Sequence, residues 1–327
     1  MSTSQDTTSS PGAQPMKVAV ASFIGTTIEY YDFFIYATAA AMIFPELFFP
    51  GSSPLVGTLL AFASLGVGFL ARPLGGVVFG HFGDRVGRKK MLVISLLTMG
   101  VATLLIGLLP TYAQIGLAAP ILLTLIRLVQ GFAVGGEWGG AVLMAVEHAP
   151  PGRRGFYGAF PQMGAPAGVA LATAAFFMAT QLSDEAFMSW GWRLPFVFSA
   201  VLVVIGLVVR FTVTESPDFV AVREGAKDVK LPIVEVWRRH PREVMLVAGA
   251  CLGQSVYAYI LLAYLVSYGT ANVGLTRPQV LSSLFIAAAL CTVLVPLYGA
   301  IADRVGRKTV YLVGIVAWRS PSVRPLR

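Results

Sequence analysis

Long apolar runs separated by short charged segments dominate this sequence and restrict the folds that it can adopt. Only 12% of the 327 residues are charged and 56% are hydrophobic, so most of the chain is expected to face lipid or other helices rather than water. A helix crosses the hydrocarbon core of a bilayer in about 20 residues. We therefore predict an all-α multi-pass membrane protein with eight spans, at residues 17–44, 55–80, 91–109, 115–147, 155–181, 193–212, 243–269 and 279–301.

The loops between these runs alternate in charge, which predicts their orientation. Loops 45–54 and 182–192 contain no Lys or Arg. Cations are concentrated instead in four other segments, residues 81–90, 148–154, 213–242 and 302–308. Because cationic loops stay in the cytoplasm, we predict a plasma-membrane protein with a cytoplasmic N-terminus. The same rule explains the formal charge of +8, and no nucleic-acid partner is expected.

The sequence gives no indication of metal or cofactor chemistry. Cys251 and Cys291 lie in apolar runs without CxxC or nearby His spacing. The three histidines form no zinc-binding or hydrolase motif. We therefore expect no metal, no cofactor, no catalytic residue and no enzyme activity.

One short motif occurs twice, as GHFGDRVGRKKM at residues 80–91 and as GAIADRVGRKTV at residues 299–310. The copies follow the second and the eighth run on the same predicted side, so a second half restarts after the sixth run in parallel orientation. This repeat predicts a six-helix bundle at 17–212, a cytoplasmic linker at 213–242 and a partial second bundle at 243–317. The polar composition of the two ends predicts a disordered cytoplasmic tail at 1–16 and a polar tail at 318–327.

Carboxyl groups inside the first run are the main candidates for a functional site. Glu29 and Asp32 share one helical face with Ser22, Thr26 and Tyr36. A carboxylate at mid-membrane costs at least ~2.5 kcal/mol on insertion scales unless it faces water or a cation. We expect this face to line an aqueous cavity and one of the two carboxyls to carry a proton. The alternative is a structural ion pair with an arginine.

Two arginines are candidates for that partner. Arg127 lies deep in the fourth run, close to Gln130 and Glu137, and needs a carboxylate, an anionic solute or water. The glycines that follow Arg127 permit close helix packing without any chemical role. Arg72, in the second run, either pairs with a carboxyl or extends towards the cytoplasm.

Weaker candidates lie in the fifth and seventh runs. Gln162 stands between Pro161 and Pro166, on a helix that we expect to be kinked and to border a solute site. Gln254 and Tyr257 share a face of the seventh run and could contact a solute.

Several motifs together resemble the major facilitator superfamily, and within it the metabolite:proton symporters that include shikimate, α-ketoglutarate, citrate and proline/betaine carriers. They are the repeated loop motif, GTTIEYYDFFIY in the first run, FLARPLGG in the second, RLVQGFAVGGEWGGA in the fourth and TESPDF after the sixth. The resemblance covers residues 17–317. It implies twelve spans in two six-helix bundles, of which this chain holds the first bundle and part of the second.

The resemblance also implies residue roles. In the family, the pattern formed here by Arg127, Gly131 and Gly135 is associated with proton coupling. The Asp of the loop motif acts as a gate by meeting a helix end of the opposite bundle. Asp303 would meet its partner helix in the first bundle. The partner of Asp84 would belong to the part of the second bundle that this chain does not hold, so for Asp84 we expect the alternative, a local pair with a neighbouring arginine worth ~0–1 kcal/mol. The implied gating residues are Gly80, Gly83, Asp84, Arg85, Gly87, Arg88, Asp303, Arg304, Gly306 and Arg307.

These observations lead to two functional hypotheses. The first is a monomeric carrier in the lipid bilayer that couples a small organic solute, with a carboxylate, to protons by alternating access. The second is a truncated fragment that does not transport, because the ninth run begins near Thr309 and ends at Trp318, and a family member would continue for about three and a half spans. Sequencing the locus beyond residue 317 distinguishes the two.

Overall fold

The computed structural model describes residues 13–135, 137–212, 237–249 and 273–319. Within these ranges the regular elements are helices, and seven segments are long and apolar enough to cross a membrane. Residues 241–249 are also helical. The other helices are α1 (Ala13–Met42), α2 (Phe44–Phe48), α3 (Pro54–Val86), α4 (Arg88–Leu108), α5 (Tyr112–Ile115), α6 (Ala118–Val134), α7 (Glu137–Glu147), α8 (Arg154–Ala179), α9 (Asp184–Ser189), α10 (Leu194–Phe211), α11 (Arg277–Val305) and α12 (Arg307–Arg319).

Seven of the eight predicted spans correspond to these helices, so the multi-pass, all-α prediction is confirmed. The remaining span, 243–269, falls mostly outside the described residues. The fourth run contains α6 and α7, which together make one candidate span, Ala118–Glu147. The last apolar run forms α12, a helix of 13 residues.

The repeated loop motif forms the same turn in both copies. Gly87 separates α3 from α4 with a φ of 117°, and Gly306 separates α11 from α12 with a φ of 91°. A side chain is strained at such positive φ values. The glycine of GRK is therefore needed for the backbone turn between two helices.

Glycines allow the helices of the first bundle to lie in direct backbone contact. A Cβ atom added at Gly131 of α6 would lie 2.0 Å from the carbonyl oxygen of Gly68 in α3. A Cβ atom at Gly164 of α8 would lie 2.6 Å from Thr26 of α1. These contacts agree with the predicted structural role of the glycines that follow Arg127.

The bundle is completed by α4 and α10, which pack on each other and on α1. One end of it is closed by a buried aromatic cluster of Phe44, Phe48, Trp192 and Phe196. In the part of the second bundle that the structure describes, α11 packs along α8. Many Leu and Val side chains of the outer helix surfaces are exposed, as a protein surrounded by lipid requires.

Candidate functional site

Asp32 is fully buried inside the first bundle and connects three of its helices. Its Oδ2 atom accepts a hydrogen bond from Thr103 Oγ1 of α4 at 2.7 Å. Its Oδ1 atom accepts one from Ser199 Oγ of α10 at 2.5 Å. The carboxylate of α1 is therefore held by hydroxyl groups from two neighbouring helices.

The hydrogen bonds continue from Thr103 to Arg127. Gln130 Nε2 donates to Thr103 Oγ1 at 2.7 Å, and Gln130 Oε1 accepts from Arg127 Nη1. Arg127, Gln130, Thr103 and Asp32 thus form one buried chain across α6, α4 and α1. In this hydrogen-bonded series, two neutral side chains, Gln130 and Thr103, connect the guanidinium group of Arg127 to the carboxyl group of Asp32.

Thr103 is a branch point in this chain. Its hydroxyl group has one proton, and two acceptors lie within reach, Asp32 Oδ2 at 2.7 Å and the Met99 carbonyl oxygen at 3.0 Å. If Asp32 gains a proton, Asp32 can become the donor and the Thr103 hydroxyl can turn to Met99. The geometry therefore accommodates both protonation states of Asp32.

Arg127 is enclosed by aromatic rings and by the backbone of α3. Its guanidinium carbon lies 4.4 Å from the ring centre of Tyr36 and 5.1 Å from that of Phe33. A Cβ atom at Gly68 would lie 2.9 Å from Arg127 Nε. The Tyr36 hydroxyl group is hydrogen-bonded to Ser64 Oγ at 2.6 Å. The hydrogen-bonded Tyr36 ring therefore packs against the guanidinium group of Arg127.

Glu29 lines a small cavity together with Arg72, Arg127 and Gln130. The cavity measures about 10 Å³, which is about the space of one water molecule. Asp32 is not among its lining residues. Its carboxyl group accepts hydrogen bonds from hydroxyl groups of α4 and α10, and the expectation that the polar face of α1 lines an aqueous cavity stays a prediction.

Arg72 has a different environment from Arg127. Its guanidinium carbon lies 4.8 Å from the ring centre of Phe69 and 5.4 Å from that of Phe33. The side chain is partly exposed. Arg72 also lines the small cavity that contains Glu29. The two interpretations made from the sequence, a carboxyl pair or extension towards the cytoplasm, stay predictions.

Asp303, near the end of α11, contacts the first residues of α8. Its Oδ1 atom accepts from the Gly155 amide at 2.7 Å and its Oδ2 atom from the Phe156 amide at 2.8 Å. Free amides and the helix dipole at an N-terminus favour a carboxylate. Gly299 is also close to Gly155, since a Cβ atom there would lie 2.6 Å from the Gly155 carbonyl oxygen.

The structure places the other candidates as follows. Gln162 is exposed on α8, and Gly83 accepts the Gly87 amide at the end of α3. Arg85, Arg304, Gly306 and Arg307 are exposed at the helix ends, and Gly80 has open space beside it. Gln254, Tyr257 and the side chains of Asp84, Arg88 and Glu137 lie outside the described residues.

Sequence reasoning missed Thr103 and Ser199. A lone Ser or Thr in an apolar helix usually bonds to a carbonyl of its own helix, so neither residue stood out. The only available signal was the need of a buried carboxylate for donors. That need does not reveal which helix supplies them.

Known proteins share much of this sequence. The family model described as Major Facilitator Superfamily matches residues 22–318. The inner membrane metabolite transport protein YhjE of Escherichia coli K12 is 51% identical over 297 residues, 89% of this chain and 68% of that protein. The shikimate transporter of the same organism is 44% identical, over 91% of this chain and 69% of that protein. The proline/betaine transporter of Salmonella typhimurium is 37% identical, over 92% of this chain and 62% of that protein.

Solved structures support the fold. A proton:xylose symporter, XylE, bound to 6-bromo-6-deoxy-D-glucose superposes with a TM-score of 0.73 at 17% identity, covering 92% of this chain and 71% of that one. The inward-open conformation of the Escherichia coli xylose transporter superposes with a TM-score of 0.61 at 16% identity, with the same coverage. At this identity the likeness concerns the fold alone.

Proposed function

Since this chain belongs to the Major Facilitator Superfamily, we propose that it is a proton-coupled symporter of a small organic metabolite with a carboxylate group, working by alternating access. It is a multi-pass membrane transporter rather than an enzyme. We also propose a plasma-membrane location with the N-terminus in the cytoplasm and a monomeric state. Because the chain spans about two thirds of the length of these relatives, transport by the whole protein is part of the proposal.

The observation that carries the proton coupling is the buried chain from Asp32 to Arg127. An intramembrane carboxylate with hydroxyl donors on both oxygens can exist charged or, after the Thr103 hydroxyl turns to Met99, protonated. Neutralising Asp32 weakens two charge-assisted hydrogen bonds, each worth about 1.5–3 kcal/mol. Protonation would thereby loosen α1 from α4 and α10.

The contact of Asp303 with α8 supports alternating access. It joins the end of α11 that carries the second copy of the loop motif to the first residues of α8 in the first bundle. If those ends face the cytoplasm, the contact keeps the cytoplasmic side closed. Its rupture would accompany inward opening, while Gly87 and Gly306 preserve the turns on either side.

The relatives guide the choice of solute. Two of them are named for shikimate and for proline and betaine, which all carry a carboxylate. Intramembrane Arg72 and Arg127 give this chain two cations that suit such a group.

Uptake into membrane vesicles tests the proposal. Vesicles with the 327-residue chain are loaded at pH 7.5, diluted to pH 6 and supplied with radiolabelled shikimate, proline or glycine betaine. We expect accumulation of at least one of these solutes, abolished by a protonophore and absent from vesicles without the chain. Uptake of none of them, or uptake that the protonophore leaves unchanged, would contradict the proposal.

A further inference from the structure

The two helices that donate to the Asp32 carboxyl pack on each other in one antiparallel register. A Cβ atom added at Gly100 of α4 would lie 2.2 Å from a methyl carbon of Val203 in α10. Seven residues further along α4, a Cβ atom at Gly107 would lie 2.5 Å from the Cβ atom of Phe196, which stands seven residues before Val203. These two contacts determine which residues of α4 and α10 lie opposite each other.

The two hydroxyl donors lie between these contacts. Thr103 is three residues after Gly100, and Ser199 is four residues before Val203. Asp32 accepts from Thr103 Oγ1 at 2.7 Å and from Ser199 Oγ at 2.5 Å. A slide of α4 by about 1.5 Å, the rise of one residue, would stretch one of these bonds beyond the usual range of roughly 2.5–3.0 Å. Both bonds therefore depend on the register of α4 and α10.

Arg193 joins α4 to α10 at one end of this helix pair. It directly precedes α10, and its Nη1 atom donates to the carbonyl oxygens of Gly107 at 2.7 Å and Leu109 at 2.8 Å. Pro110 ends α4 here, because proline has no amide hydrogen and disfavours a helical residue before it. The last carbonyls of a helix lack amide donors from their own helix, and Arg193 supplies a charged donor instead.

The Arg193 side chain is also held on its other side. Its guanidinium carbon lies 4.4 Å from the ring centre of Trp192, which is fully buried in the aromatic cluster. Stacking on a ring fixes the plane of a guanidinium group. The helix dipole also favours a positive charge at the C-terminal end of α4. Arg193 is therefore fixed between a buried ring and the α4 backbone.

The opposite end of the helix pair has a similar contact, but that contact is farther from the hydroxyl groups. Lys89 Nζ of α4 donates to the Phe211 carbonyl oxygen of α10 at 3.0 Å. Thr103 lies fourteen residues from Lys89, about 21 Å along a helix, but only four residues from Gly107, about 6 Å. Arg193 therefore has the greater influence on the position of the hydroxyl groups.

We propose that Arg193 is a positioning residue for proton binding at Asp32. It holds the end of α4 against the start of α10 and thereby keeps the hydroxyl groups of Thr103 and Ser199 directed at the carboxyl. The inference rests on the proposed symport function and deepens it by naming a residue outside the buried chain that sets the geometry of that chain. Because Arg193 acts through the register of two helices, its effect must disappear when the register is fixed in another way.

Transport with and without a proton gradient tests this assignment. Vesicles with the 327-residue chain are supplied with labelled shikimate, proline or glycine betaine, first under a pH gradient and then for exchange against unlabelled solute without one. In Arg193→Gln we expect gradient-driven accumulation to fall about tenfold relative to exchange, because exchange needs no change in the protonation of Asp32. A loss of folded protein would lower both rates equally and would leave their ratio unchanged.

Two variants serve as controls for this ratio of accumulation to exchange. Arg193→Lys keeps a charged group with three N–H donors and should restore most of the ratio. Lys17→Gln removes an exposed cation of α1 and should leave the ratio at the wild-type value.

A disulfide between α4 and α10 tests the role of the register itself. The pair Gly100→Cys and Val203→Cys suits it, because a Cβ atom at Gly100 would lie 3.1 Å from the Val203 Cβ atom, near the spacing of about 3.5–4.5 Å in disulfides. With Cys251 and Cys291 replaced by Ser, we expect oxidation of this pair in Arg193→Gln to restore the ratio and reduction to remove it again.

Three results would overturn specific claims. If the wild-type chain accumulates none of the three solutes, the proposed function falls and this inference falls with it. If the wild-type chain accumulates a solute and Arg193→Gln keeps the wild-type ratio, only the assignment of Arg193 falls. The assignment also falls if the oxidised disulfide leaves the ratio of Arg193→Gln low, because the effect then does not depend on the register.

Discussion

The carboxylate of Asp303 accepts a hydrogen bond from the amide of Gly155 at 2.7 Å, although 148 positions separate the two residues in the chain. Asp303 belongs to the second copy of the repeated motif and Gly155 to the first turn of α8. The contact therefore joins the two halves that the repeat indicates.

Replacing Asp303 with Asn should loosen this junction. The amide keeps one acceptor oxygen but loses the charge that the α8 N-terminus favours, and hydrogen bonds to charged groups are worth about 1.5–3 kcal/mol each. A cysteine at Ala159, which is 7% exposed, reports the change after Cys251 and Cys291 are replaced with Ser. We expect at least about tenfold faster maleimide labelling in Asp303→Asn. Glu185→Gln, an exposed charge change on α9, serves as control, and equal rates in both variants would contradict the account.

Thr103 should be required for coupling because it joins Gln130 to Asp32. Thr103→Val leaves a buried carboxylate oxygen and a buried amide without their partner, each costing about 1–3 kcal/mol. Gradient-driven uptake should fall about tenfold or more, and Thr103→Ser should restore it. Thr124→Val is the matched control, because the Thr124 hydroxyl bonds to the Pro120 carbonyl of its own helix. Wild-type uptake by Thr103→Val would rule out this role.

Gly131 should tolerate no side chain. Alanine there would place a Cβ atom 2.0 Å from the Gly68 carbonyl oxygen, and relieving such a contact between two backbones costs about 1–3 kcal/mol or more. We expect Gly131→Ala to lower the melting temperature in detergent by several degrees or to prevent folding. Gly139→Ala, on α7 with open space around it, should leave the melting temperature unchanged or slightly higher. Similar melting temperatures for the two variants would show that α3 and α6 are not in direct contact.

The spans were predictable because a helix in lipid needs a continuous apolar run of fixed length, and α3, α4 and α8 follow that rule closely. The close approach of α3 and α6 at Gly131 was foreseen as glycine packing, but the sequence does not name the partner helix.

The site was predictable in part. Glu29, Asp32 and Arg127 stand out because charges in apolar runs are costly. The sequence does not show that the Asp32 carboxyl is bonded to side chains of α4 and α10, because that depends on helix rotation in the bundle. For the same reason the hydroxyl groups of Thr103 and Ser199 carried no signal until the helices were packed.

The central claim is that an intramembrane carboxyl of α1 carries the proton. Its most direct test is the external pH change when a solute that the wild-type chain accumulates is added to weakly buffered vesicles without a gradient. We predict alkalinisation with the wild-type chain and none with Asp32→Asn, while that variant still exchanges labelled for unlabelled solute. Alkalinisation that persists in the double variant Glu29→Gln, Asp32→Asn would contradict the account.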